Sequence, residues 1–141
     1  MTRRSRAREV ALQVLFEAEL NPAAADRGRF LKGRLRSNAL VEFAESLIAG
    51  VHENRAAIDA LLEARSQNWR VARMAATDRA VLRMAVFELG HTDTPGPVVV
   101  DEAIELARRY GNEHSPRFVA GILGGILAER SAASAPAVPT P

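Results

Sequence analysis

The sequence predicts a single all-α domain of about six or seven helices, and three observations carry that prediction. Apolar residues recur at helical spacing in nearly every periodic segment, and no stretch shows the strict alternation of a half-buried strand. Proline, glycine and Asn-Pro punctuation cuts the chain into short units. At 141 residues the chain is long enough to bury one substantial core.

The elements follow in order. In the first segment Ala7, Val10, Ala11, Val14, Leu15 and Ala18 share one broad arc, and Leu12, Phe16 and Leu20 form a second stripe. A helix apolar on two sides belongs near the centre of a bundle. Its narrow polar face carries Arg6, Glu9, Gln13 and Glu17, and Asn21-Pro22 ends it, because a residue before proline is pushed out of the α region. Residues 22–37, with two glycines, a proline and five basic residues, read as a mobile connection. Asn38 is the expected cap of a helix with Leu40, Phe43, Leu47 and Val51 inward. A short helix follows on Ile58, Leu61 and Leu62, then a helical turn around Trp69.

Thr77 is the expected cap of the helix through Leu89, with Asp78 in its first turn and Gly90 closing it. Pro97 suits the first position of the next helix. There, three successive valines suggest a strand, but Val100, Ile104 and Ala107 keep helical spacing, so the segment is assigned as helix and Gly111 as its stop. Ser115-Pro116 reads as the cap and first residue of the last helix. Residues 131–141 are low in complexity and are expected to be a disordered tail behind a domain spanning 1–130.

Charge is small in sum, at +2, but polarised. Residues 1–36 hold nine basic side chains against four acidic, and residues 37–64 one against five. Residues 65–90 hold five against two, and residues 91–141 four against six. Such a field can orient an anionic ligand. The chain has no cysteine, which excludes disulfides and thiolate chemistry. No apolar run reaches membrane-spanning length, and the charged N-terminus is not a secretory signal, so a cytoplasmic location is expected.

Catalytic chemistry is hard to find. His52, His91 and His114 are scattered without helical partners, so neither a metal nor another cofactor is expected. Asp101 and Glu102 point to different faces and read as first-turn charges. The glycines of GILGG (121–125) lack the lysine of a phosphate loop and read as a surface for close helix approach. Function therefore falls to binding surfaces, and the run RRSRAR at 3–8 is the strongest candidate. Arg4 and Arg8 stand one turn apart, and Arg6 lies above Gln13 and Phe16. Guanidinium groups pair with phosphates, an amide reads a base edge and a ring stacks a base, a combination suited to single-stranded RNA. The bland alternative makes Phe16 ordinary core and the arginines a solvated helix end.

Four stretches resemble one family, the NusB antitermination factors: RRSRAREVALQVLFEAEL (3–20), FAESLIAGV (43–51), TDRAVLRMAVFEL (77–89) and PVVVDEAIELARRYGNEHSPRFVAGIL (97–123). The resemblance implies two packed three-helix halves and no catalytic activity. It implies boxA-type RNA and the small-subunit ribosomal protein NusE as partners, within an RNA polymerase antitermination complex that reads through ribosomal RNA operons. By position it puts Arg3, Arg4, Arg6, Arg8, Gln13 and Phe16 on the RNA face, with Asn112, His114, Arg117 and Phe118 nearby. Asp78, Arg79 and Arg83 fall on the partner face. A homodimer covering the RNA face is compatible with the family. His114 stands where many members are acidic, Ala120 replaces a frequent asparagine, and Gly124-Gly125 replace a common Asp-Lys pair.

Two other readings compete. An accessory module of a ribosomal RNA methyltransferase is not expected unless the sequence is a fragment, since a catalytic domain would need more than the eleven residues that follow Arg130. A helical protein-interaction adaptor would ignore RNA. On the RNA reading, replacing Arg4, Arg6 and Arg8 together by alanine is expected to abolish RNA affinity and leave helicity intact.

Overall fold

The computed structural model describes residues 2–21, 27–66 and 70–134. Among them the chain forms seven α-helices and one short 3-10 turn, with no strand. The helices are α1 (Arg3–Leu20), α2 (Arg27–Arg34), α3 (Asn38–Glu53), α4 (Arg55–Arg65), α5 (Ala76–His91), α6 (Gly96–Tyr110) and α7 (Ser115–Ser134). The 3-10 turn, Val71–Arg73, precedes α5, and the turn expected around Trp69 falls on residues outside the described ones.

Helices α1 to α3 pack on one another to form the first half. The second half holds α4 to α7, and α5 touches α1 and α3 as well as α4, α6 and α7. The central helix is thus α5, where sequence pattern favoured α1. From Ala80 to Val86 every residue of α5 is buried. A helix surrounded this way must find partners for its charged groups, because an unpaired buried charge is costly. Arg83 and Glu88, both buried on α5, are answered by opposite charges from α1 and α4.

Several boundaries differ from the sequence reading. Residues 27–34 form α2, because Leu31 and Leu35, one turn apart, are buried in the core and Phe30 packs against it. Burial of that stripe outweighs the helix-breaking tendency of its glycines. The cap of α3 is Ser37, whose hydroxyl accepts from the Leu40 amide, and Asn38 is the first helical residue. Helix α5 starts at Ala76 without a side-chain cap and runs through Gly90 to His91. Pro97 is the second residue of α6, and α7 continues to Ser134 past the expected boundary at 130. The valine run is helical, as its spacing required. Leu20, expected to be apolar stripe, is 67% exposed.

Close helix approach also moves. A Cβ on Gly121, Gly124 or Gly125 would meet open space, so these glycines face outward and are not packing points. The tight approaches are at Gly50, where a Cβ would strike the Phe87 ring, at Gly96, where it would strike Leu127, and at Gly111, where it would strike Ser115 and the Ala107 carbonyl. No helix is long and apolar enough to cross a membrane, and no group of three or more histidine or acidic residues could hold a metal ion, among the described residues.

Candidate nucleic-acid interface

Helix α1 presents the arginine run. Thr2 caps it, its hydroxyl accepting from the Ser5 amide at 3.0 Å, so the run is helical from Arg3 onward. Four cations in the first turns oppose the helix dipole, which favours anions at that end. Helix stability therefore does not explain them, and each must be accounted for by what it meets.

Arg8 meets the core. It is 3% exposed, and its guanidinium donates twice to Glu88 of α5, at 2.8 and 2.5 Å. Glu102 of α6 lies 3.8 Å away and also accepts a 2.5 Å bond from Ser5. The expectation that Arg8 contacts RNA is thus revised: its donors are used inside, and it anchors α1 to α5 and α6. Glu102 is likewise an interhelical partner and no first-turn charge, because α6 begins six residues earlier. Arg4 is exposed and lies over the Phe43 ring, 4.6 Å from its centroid, so its cation is held at the surface by an aromatic seat. Arg3 is exposed, and neither Arg3 nor Arg4 makes an ion pair among the described residues.

Arg6 pairs with Glu9, and the same buried carboxylate takes Arg109 from the end of α6. The pair of bonds fastens the polar face of α1 to α6. Tyr110 follows at once and is 39% exposed. Burial first, and then the facing Glu9 carboxylate, push its hydroxyl above the ordinary phenol pKa, while Gln13 and Arg109 act in the opposite direction. Gln13 is half-buried, and its side-chain oxygen has no hydrogen-bond partner. That oxygen is itself buried, so the group open to a ligand here is the Tyr110 ring and not the amide. Phe16, half-buried, stands outside the set of rings packed on the core, which is Phe30, Phe43, Phe87 and Phe118. The strip therefore runs Arg3, Arg6, Gln13 and Phe16 along α1, joined by Arg109 and Tyr110, while Arg4 lies on another side of the helix over Phe43.

Tyr110 and Arg109 escaped sequence reasoning. The available signal was an aromatic residue at the last, solvent-facing position of an amphipathic helix, next to Gly111. The loop after it is tightly built. The Asn112 amide donates to the Ser115 hydroxyl at 3.0 Å, and the Asn112 side-chain oxygen accepts from the His114 amide at 2.8 Å. Asn112, His114 and Arg117 are exposed there, and His114 faces Glu113 at 3.3 Å. Phe118 is half-buried against the core, so its ring supports the loop more than it offers a stacking face.

The expected partner residues sit on the other end of α5. Arg79 donates to both oxygens of Glu19, at 2.8 and 3.0 Å, and to the Val71 and Met74 carbonyls. The hydrogen bond to Glu19 raises its pKa. Arg83 takes Asp59 of α4 in two bonds, at 2.8 and 2.9 Å, and Glu19 in a third at 2.6 Å. These arginines tie α1, α4 and α5 together and line a cleft of about 710 Å³ with Val51, His52 and Arg55. Their donors are spent within the chain, so they shape the cleft and do not project from it. Asp78 is buried, with one carboxylate oxygen unpartnered.

The fold defines an all-helical protein whose outer surface carries a run of exposed arginines on α1 and an exposed tyrosine at the end of α6. The profile of the NusB family matches residues 5–128, and the chain belongs to the NusB family. It is 47% identical over 125 residues to the transcription antitermination protein NusB of Anaeromyxobacter dehalogenans, covering 86% of this chain and 88% of that one. It is 43% identical over 131 residues to the protein of the same description from Saccharopolyspora erythraea, with 89% and 87% covered. Among solved structures, NusB of T. maritima superposes with a TM-score of 0.81 at 38% identity, covering 92% of each chain. A structure of the antitermination factors NusB and NusE in complex with dsRNA superposes at 0.76 and 25% identity, covering 92% of this chain and 98% of that one.

Proposed function

We propose that this protein is a transcription antitermination factor that binds boxA-type single-stranded RNA together with NusE. In that complex it acts on RNA polymerase in the cytoplasm and supports read-through of ribosomal RNA operons, without catalysing a reaction. The observation that carries the reading is the strip on α1. Arg3 and Arg4 leave their cations without ion pairs among the described residues, at a helix end where cations are unfavourable, and further along the domain surface Tyr110 offers an open ring. Exposed rings and amides read unstacked bases, which duplex RNA keeps out of reach, so the strip suits a single strand. The relative solved with NusE and dsRNA supports NusE and RNA as partners, with the single-stranded form argued from the surface itself. Asn112, His114 and Arg117 extend the surface from the α6–α7 loop. The NusE-binding surface is assigned to the α5 end that carries Asp78, with Arg79 and Arg83 holding that end in shape.

The test is fluorescence anisotropy on a short boxA-type RNA and a scrambled control, with and without NusE, at two salt concentrations. Tighter binding of the cognate RNA, strengthened by NusE and weakened by salt, is the expected result. Equal and feeble binding of both RNAs with NusE present overturns the reading and leaves a protein-interaction adaptor, or a homodimer that covers the strip.

A further inference from the structure

At its N-terminal end the α1 strip opens into a second concave surface, between the start of α1 and the α2–α3 junction. Arg3 and Arg6 form one wall, Arg34 and Arg36 the other, and Leu35 and Leu40 contribute apolar surface between them, enclosing about 290 Å³. None of the lining residues is acidic. Arg6 is answered by Glu9, but Arg3, Arg34 and Arg36 make no ion pair among the described residues. Like charges facing across a groove repel, and an added anion relieves that repulsion.

The groove is built and not incidental. Leu31 and Leu35 are buried, which pins α2 to the core and leaves Arg34 and Arg36 on either side of Leu35. The Arg34 guanidinium lies over the Phe30 ring at 4.8 Å, which holds it in place without neutralising it. The dipole of α2 accounts for Lys32 and Arg34 in its last turn. It does not account for Arg36 beyond the helix end, nor for Arg3 on another helix.

We infer that this groove is a phosphate-binding extension of the RNA surface, in which Arg34 and Arg36, with Arg3, hold the backbone of nucleotides flanking the segment bound along α1 and at Tyr110. The inference rests on the RNA-binding reading above. The groove offers cations and aliphatic surface but no amide or open ring, so it grips the strand without reading its sequence. Its contribution scales with RNA length and falls with salt.

The experiment compares the protein with R34A/R36A on three RNAs: the boxA-type core, and that core extended by uridines at its 5′ or its 3′ end. Binding is measured across about 50 to 200 mM salt. Expected is tighter binding of one extended RNA by the parent protein. For that RNA the variant loses the gain and shows a log K against log salt slope shallower by roughly 1.4, two phosphates at about 0.7 each. On the core RNA the two proteins bind alike. R34Q/R36Q, which keeps more of the aliphatic surface, is expected to match R34A/R36A, and R34K/R36K to restore most of the slope. Identical slopes for parent and R34A/R36A on every RNA overturn the groove while leaving the RNA reading intact. Failure of the parent protein to prefer the core RNA over a scrambled one overturns both.

Discussion

Arg8 of α1 and Glu88 of α5 form a two-bond ion pair across 80 residues of sequence, with the carboxylate 1% exposed. The pair joins the helix that carries the arginine run to the helix around which the domain is packed. Removing one partner leaves a buried charge unanswered, which costs about 3–5 kcal/mol. Arg8→Ala is expected to lower stability by that amount in urea denaturation, while Arg4→Ala, at the surface, changes it by less than about 1 kcal/mol. A small loss for Arg8→Ala means that the pair does not hold α1 in place. The triple replacement of Arg4, Arg6 and Arg8 therefore mixes two effects, and Arg8 belongs in a folding experiment.

For RNA affinity the informative variant is R3A/R4A. Both side chains are exposed and make no ion pair among the described residues, so thermal melting is expected to be unchanged. Binding of a boxA-type RNA is expected to weaken, with the salt slope shallower by roughly 0.7 for each phosphate no longer neutralised. An unaltered slope removes these two residues from the interface.

Tyr110 is the single tyrosine of the chain, so its ionisation can be followed by phenolate absorbance without assignment. Burial and the nearby Glu9 carboxylate raise its pKa above 10.0 in the folded protein. The unfolded chain then loses its proton first as pH rises, and the contribution of this group to stability falls as pH climbs through about 10. Expected is a midpoint above that of the urea-unfolded chain, moving down in Glu9→Gln. A midpoint equal to the unfolded value shows that Glu9 and Tyr110 are not neighbours in solution. Tyr110→Ala is expected to weaken RNA binding by about 1–3 kcal/mol through removal of the stacking face, and Tyr110→Phe to retain most of it.

The glycines separate cleanly by surroundings. Gly50→Ala drives a methyl group into the Phe87 ring and is expected to destabilise by about 1–3 kcal/mol. Gly124→Ala, facing open space on α7, is expected to stabilise by roughly 0.5–1 kcal/mol, because alanine loses less backbone entropy in a helix. Thermal melts of the two variants check both signs, and a destabilised Gly124→Ala places an unseen neighbour against α7.

Sequence alone determined the all-helical class, since apolar spacing near 3.6 residues is a local property that survives without knowledge of neighbours. It also singled out the arginine run from Arg3 to Arg8 as a candidate surface, because a cluster of cations in one helical turn or two is again local. Element ends were less legible. Whether Ser37 or Asn38 caps α3, and whether a glycine-bearing segment such as 27–34 is helix, depends on burial of Leu31 and Leu35 against distant residues. Only the tertiary structure decided which cations are free. Arg8, Arg79 and Arg83 read like Arg3 and Arg4 on paper, but each meets a carboxylate from another helix: Glu88, Glu19 or Asp59. An ion pair between residues tens of positions apart leaves no mark in local pattern. Its partners are chosen by how α1, α4, α5 and α6 pack, and that packing separates the arginines that build the protein from those left to bind.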